Sequence, residues 1–309
     1  MVEEGEGTGM KKQNKNKIKE GNRAVTAVLY ILAAIAAFIT LYPMYYVLIL
    51  SLSEPAYAAT MRVYLVPKGF NLSAFQVLVT DMKMWRAYAN TVLYVVPTTI
   101  LMIATSTVVA FGLNYKKLMG RKFLTMFLLI PMYFAGGTIP SFLLIVKLGL
   151  YDSPFSQVIP ACFSIWNIIL VKAYFRSIPE SLTEAARIDG AGEFKIFRKV
   201  VLPLAKPIVA TVGLFIGVAY WNDWTNGLYY VTDAKLFSVQ QMLNNMLKNI
   251  EYLSNNPNSQ INTSNIAASV PQASVRMAIA LVGILPILVI YPFVQKYFVK
   301  GIAIGAVKG

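Results

Sequence analysis

Long uncharged runs alternate with short polar segments along this chain, and that alternation sets the elements to expect. The first run, from Ala24 to Ser53, carries no charge over about 30 residues. A signal-peptide core is about 7 to 15 residues, so this run predicts an uncleaved transmembrane helix. Further apolar runs cover Ala87 to Leu113, Phe123 to Val146, Ser153 to Val171, Pro207 to Trp221 and Met277 to Phe293. A bilayer crossing needs about 20 residues of helix, and the pattern therefore predicts an all-α polytopic membrane protein with six transmembrane helices. The third run contains Pro131, Gly136-Gly137 and Pro140, which predict a kink or a short re-entrant element. Such a break either lines a transport pathway or is a structural kink filled by neighbouring helices.

The polar segments complete the plan. Residues 1–23 form a charged tail without fixed structure. Ser51 to Arg86 is a loop punctuated by Pro55, Pro67 and Gly69, with a short helix expected from Asn71 or Ser73. Lys116 to Lys122 is a tight turn, and residues 223–275 form a long loop rich in Asn and Ser. The segment 173–206 is the polar, basic stretch between two apolar runs in the second half, and it includes EAARIDGAGEFKIFRKVVLP from Glu184. Ser181 and Glu184 have the spacing of a capping box, which predicts a helix start there. Gly190-Ala191-Gly192 predicts its end, because glycine accepts the left-handed conformation of a helix stop. A second, amphipathic helix then places Phe194, Phe197 and Val201 on one stripe and Lys195, Arg198 and Lys199 on another, with Leu202-Pro203 closing it.

Composition narrows the chemistry. Hydrophobic residues make up 57% of 309, above the 45–50% of soluble domains. There is no histidine and a single cysteine, Cys162, which argues against zinc sites and removes the commonest general base. The net charge of +14 follows membrane sidedness: with the N-terminus inside, 20 of the 28 Lys and Arg fall in inner segments and 8 in outer ones. That bias puts 173–206 and both termini in the cytoplasm and accounts for the charge without nucleic acid. No GxxxxGK[ST] loop is present, so no P-loop nucleotide site is expected, and no span carries a carboxylate or lysine at mid-depth.

The spacing Glu184-Ala185-Ala186, three residues, Gly190, nine residues, Val200, one residue, Leu202-Pro203 resembles the EAA loop of permease subunits of binding-protein-dependent ABC importers. Val200 stands where that family usually has isoleucine, one methylene larger. The outer LGLYDS at Leu148 to Ser153, the WND after the fifth run and the terminal VKGIAIGAVKG look like the carbohydrate subgroup, the maltose-type permeases, and its branch for complex oligosaccharides.

The resemblance implies a type I ABC importer permease fold, with a six-helix domain over 24–300 and a cytoplasmic C-terminal tail over 301–309 that enters the ATPase dimer in some relatives. It implies residence in a bacterial plasma membrane. The partners it implies are a cytoplasmic ATPase dimer, a second homologous permease and an extracytoplasmic solute-binding protein. ATP and Mg would be used by the ATPase, with no cofactor bound by this chain and no catalytic residue in it. Glu184, Ala185, Ala186, Asp189, Gly190, Leu202 and Pro203 would form the coupling element held by the ATPase.

For a sugar pathway, aromatic faces suit pyranose rings, and Tyr133, Phe134, Trp221 and Trp224, with Asn222, lie at plausible depths. Tryptophan at a span end equally suits an interfacial belt. The rival reading from another class is an ATPase-independent channel or secondary carrier for small polar solutes.

Overall fold

A computed structural model describes residues 23–134, 136–255 and 272–306; the expected N-terminal tail, the stretch 256–271 and the last three residues of the expected C-terminal tail lie outside them. Among the described residues every regular element is helical. In chain order these are α1 (Arg23–Ser51), α2 (Pro55–Ala59), α3 (Ser73–Thr80), α4 (Met82–Asn114), α5 (Arg121–Tyr133), α6 (Thr138–Lys147), α7 (Phe155–Val158) and α8 (Ile165–Phe175). There follow α9 (Glu180–Ile188), α10 (Glu193–Ile196), a π-helical turn at Phe197–Val201, α11 (Leu202–Leu204), α12 (Lys206–Trp221), α13 (Thr225–Tyr230), a 3₁₀ turn at Ala234–Leu236, α14 (Val239–Asn255) and α15 (Gln272–Ala306).

Three helices are individually long and apolar enough to cross a membrane: Val25–Ser51, Met82–Asn114 and Ala273–Ile290. The apolar side chains of α1, from Val25 to Leu41, face away from the rest of the chain, as a helix dissolved in lipid requires. Helix α4 begins five residues before the expected run because the Asp81 carboxylate accepts the Lys83 amide at 2.9 Å and caps it. The short outer helix expected from Asn71 or Ser73 is α3, entered through a bond from the Ser73 amide to Asn71 Oδ1 at 2.7 Å.

The expected break in the third run is present: α5 and α6 meet at 112° across Phe134 to Gly137. A second bend, of 77°, separates Glu193–Leu204 from α12. Counting each bent pair as one span gives up to five crossings by length and composition among the described residues, and the expected run that is divided instead is Ser153 to Val171. Pro154 and Pro160 interrupt it, each lacking the amide a helix needs, and Ser164 caps a new start by accepting the Asn167 amide. What remains, α8, has 11 residues and reaches about 16 Å.

The long segment after Trp221 also departs from expectation. It holds α13, the 3₁₀ turn and the 17-residue amphipathic α14, which buries Val239, Met242, Leu243 and Ile250. Two cores result. One joins α4, α8 and α12 to the π turn through Met102, Ile168, Val171, Ile196, Phe197, Val201 and Val212. The other joins α3, α4, α14 and α15 around Trp221. α12 runs between them.

Candidate functional site

At the N-terminal end of α12 lies the segment singled out by its charge. Helix α9 starts two residues earlier than the capping box would place it. Pro179 is its N-cap, with no side-chain cap bond, so the Ser181 and Glu184 reading is corrected: proline's fixed φ already suits a helix entry. The end of α9 is as expected. Gly190 takes φ +75°, the Ala191 amide donates to the Ala186 carbonyl at 3.0 Å, and the Gly190 amide donates to Arg187 at 3.0 Å. Those two bonds form a Schellman stop, and its accompanying apolar contact is made by Ala186 and Ala191, both packed on the first core. The alanines thus seat the corner on the bundle.

After the corner the chain is helical but not regular. The expected stripe of Phe194, Phe197 and Val201 is corrected: Phe194 is 74% exposed, and Ile196, Phe197 and Val201 are the buried set. Phe197 and Val201, both buried, bound a π turn on the inner face. The turn precedes Pro203, whose ring would meet the Lys199 carbonyl in a regular helix. Leu202-Pro203 does not close the helix. Helical backbone continues through Leu204 as α11, and the 77° bend falls at Ala205. From Glu193 to Leu204 the backbone is helical throughout, and it meets α12 at that bend.

The outward face of the corner is apolar. Ile188 is 87% exposed, and Leu182 and Phe194 are exposed with it, on a loop lying beyond the spans. Asp189, the C-cap of α9, is exposed beside them. Sequence reasoning named Asp189 and Phe194 but missed Leu182 and Ile188, although the spacing 182, 185 and 188/189 already marks one helical face.

The inner face of α9, through Glu180, Thr183, Glu184 and Arg187, lines a cleft of about 650 Å³ with the ends of α4, α5 and α8. Lys116 pairs with Glu180 at 2.6 Å, and Arg187 donates to both oxygens of Glu193 at 2.8 and 3.3 Å and lies 5.5 Å from the Tyr115 ring centroid. The Glu193 carboxylate holds the Arg187 proton more firmly than usual. Glu184 is exposed, and no described residue bonds to its carboxylate, which leaves it available to a partner.

The residues considered for a pathway fall in different surroundings. Tyr133 and Phe134 are 75% and 79% exposed at the break between α5 and α6. Trp221 is buried, donates from Nε1 to the Gly283 carbonyl at 3.1 Å and lies 6.1 Å from Tyr88. Asn222 donates to the Val218 carbonyl at 2.9 Å, and its Oδ1 accepts from Gln240 at 3.4 Å. The Trp224 ring is capped by Lys248 at 5.4 Å. Asp223 accepts the amides of Thr225 and Asn226, which starts α13.

One more device escaped the sequence. Asp152, in LGLYDS, accepts the amides of Thr232 and Asp233 and the Thr232 hydroxyl, each at 2.9 Å, while its own amide donates to Tyr230 at 2.8 Å. The Asp233 amide first, then the Thr232 amide and hydroxyl, holds this carboxyl below its ordinary range.

Residues 116–304 match the family model of the binding-protein-dependent transport system inner membrane component. The chain is 32% identical over 288 residues to the polygalacturonan/rhamnogalacturonan transport system permease protein YtcP of Bacillus subtilis (strain 168), covering 93% of this chain and 99% of that one. It is 31% identical to protein LplC of the same organism, covering 88% and 90%. Among solved structures it resembles, at TM-score 0.78 and 32% identity over 89% of this chain and 97% of the other, a chain of a bacterial ABC transporter involved in the import of the acidic polysaccharide alginate.

Proposed function

The chain belongs to the binding-protein-dependent transport system inner membrane components, and on that premise we propose that it is one of two permease subunits that carry an oligosaccharide inward by ATP-driven alternating access. The observation that carries the reading is the Gly190 corner: an exposed apolar face fixed to the bundle by a Schellman stop and continuous with α12. In this reading a cytoplasmic ATPase dimer binds ATP and Mg, grips Leu182, Ile188 and Phe194, and meets the Glu184 carboxylate with donors. Closure of that dimer drags the corner, and α12 transmits the movement to the second core. A second homologous permease completes the pathway, and an extracytoplasmic solute-binding protein delivers the sugar. Both termini lie in the cytoplasm, consistent with the excess of basic residues in the inner segments.

The sugar class is supported by relatives named for transport of polygalacturonan and rhamnogalacturonan and for import of alginate. An ATPase-independent channel or carrier gains no support from them. The test is copurification in mild detergent followed by ATP hydrolysis of the reconstituted complex across neutral and uronate oligosaccharides. Hydrolysis stimulated by binding protein and one of these sugars is expected. A chain that copurifies with no ATPase, or transport that persists without one and tracks an ion gradient, would overturn the reading.

A further inference from the structure

The cleft behind α9 carries more positive charge than its own carboxylates neutralise. Lys116, Lys117, Arg121, Arg176 and Arg187 line it against Glu180 and Glu184. Lys116 is paired with Glu180, and Arg187 with Glu193, whereas no carboxylate among the described residues pairs with Lys117, Arg121 or Arg176. Deeper in the bundle Lys172 is buried, its ammonium donates a long bond of 3.4 Å to the Thr125 hydroxyl, and it lies within Coulombic range of both Arg121 and Arg176. Like charges gathered at a partly enclosed site cost free energy unless an anion joins them.

The wall holds a second unmatched group. Asn114 donates to the Lys172 carbonyl at 3.1 Å, but its Oδ1 is buried with no hydrogen-bond partner. Buried polar atoms in folded proteins are nearly always satisfied, so an orphan acceptor beside an unneutralised cationic cleft points to an absent group that brings both negative charge and a hydroxyl.

We propose that this cleft binds a phosphate-bearing headgroup, with Arg121 and Arg176 on the phosphate oxygens and Asn114 accepting from a neighbouring hydroxyl. Arginine suits phosphate because its fork donates two parallel bonds to it. The cleft opens at the ends of α4, α5 and α8, where apolar helix gives way to polar turn, which is the depth of a lipid headgroup. The inference uses the membrane placement of those helix ends but not the identity of the transported sugar or the presence of an ATPase. Its site is also distinct from the outward face of α9.

The test is titration of the purified full-length chain, with any subunits that accompany it, read by native mass spectrometry as ligand occupancy. Phosphatidylglycerol, phosphatidylcholine and inorganic phosphate serve as separate probes. Phosphatidylglycerol should bind, and R121Q/R176Q should weaken it about thirtyfold, since each basic residue near an anionic headgroup contributes about fivefold. R121K/R176K should stay within a few-fold of the parent, which guards against misfolding as the explanation. K195Q/K199Q removes two exposed charges outside the cleft and should change nothing. Inorganic phosphate that binds with the same pattern and displaces the lipid would support the site while naming free phosphate as its occupant. Failure of both phosphatidylglycerol and inorganic phosphate to bind, phosphatidylcholine binding as tightly as phosphatidylglycerol, or equal loss in the K195Q/K199Q chain would overturn the proposal. Because the readout is on the permease itself, that failure is separable from a failure of ATPase coupling.

Discussion

The two ends of α12 are built in opposite ways. At its C-terminal end Trp221 is buried, its indole nitrogen is bonded to Gly283, and Asn222 and Asp223 direct their polar atoms to the chain itself. At its N-terminal approach the Gly190 corner leaves Ile188 and Phe194 in the open and Glu184 without a partner, although the Gly190 and Ala191 amides are bonded back into α9. An element that satisfies its backbone yet exposes large apolar side chains beyond the membrane spans is shaped for another protein, whereas one that satisfies both is shaped for stability. The difference assigns grip to one end of the helix and rigidity to the other.

The comparison breaks first at Trp221. Trp221→Ala removes a large buried ring and its bond to the Gly283 carbonyl, and thermal unfolding in detergent should show a loss of about 3–5 kcal/mol. An unchanged melting temperature would remove the packing role and return the residue to the sugar pathway. Next, Glu184→Lys adds a cation to the cleft lined by Lys117, Arg121 and Arg176, so it should lower stability slightly, and it should cost uptake more, a charge-assisted contact of about 1.5–3 kcal/mol, roughly tenfold or more. Normal uptake by this variant would remove the carboxylate from the grip.

Gly190→Val sharpens the contrast at smaller scale. A side chain placed at φ +75° costs about 1–2 kcal/mol from the backbone alone, and nothing lies within 4 Å to add a clash. Uptake should fall more than expression does.

The smallest effect is expected at Asp152. Its carboxyl is held below the ordinary 3.8, so its clamp contributes stability above that pH, and the contribution is lost as pH falls through the lower folded value. The parent chain should therefore melt above the Asp152→Asn variant at pH 7, with the gap closing below about pH 4. A gap independent of pH would mean that the charge is not what holds Thr232 and Asp233.

Legibility followed the range of the interaction that decides each feature. The α9 stop at Gly190 is a local matter of left-handed glycine and was readable, as were the break at Gly136-Gly137 and the start of α3. The capping box was not formed, because Ser181 already lies inside a helix entered from Pro179. The division of Ser153 to Val171 was signalled by two prolines and hidden by the apolar composition around them. What no periodicity announces is tertiary: the burial of Trp221 by α15, the reach of Asp152 to Thr232 across 80 residues, and the exposure of Phe194 beside a buried Ile196.

The central claim is that the Gly190 corner is the face an ATPase grips, and cross-linking reads it most directly. In a Cys162→Ser background, Ile188→Cys on the assembled complex should form a cross-link to the copurifying ATPase, with a yield that changes when ATP is added, while Trp224→Cys should form none. Equal cross-linking from both positions, or none from Ile188 in a complex that still hydrolyses ATP on sugar addition, would contradict the account.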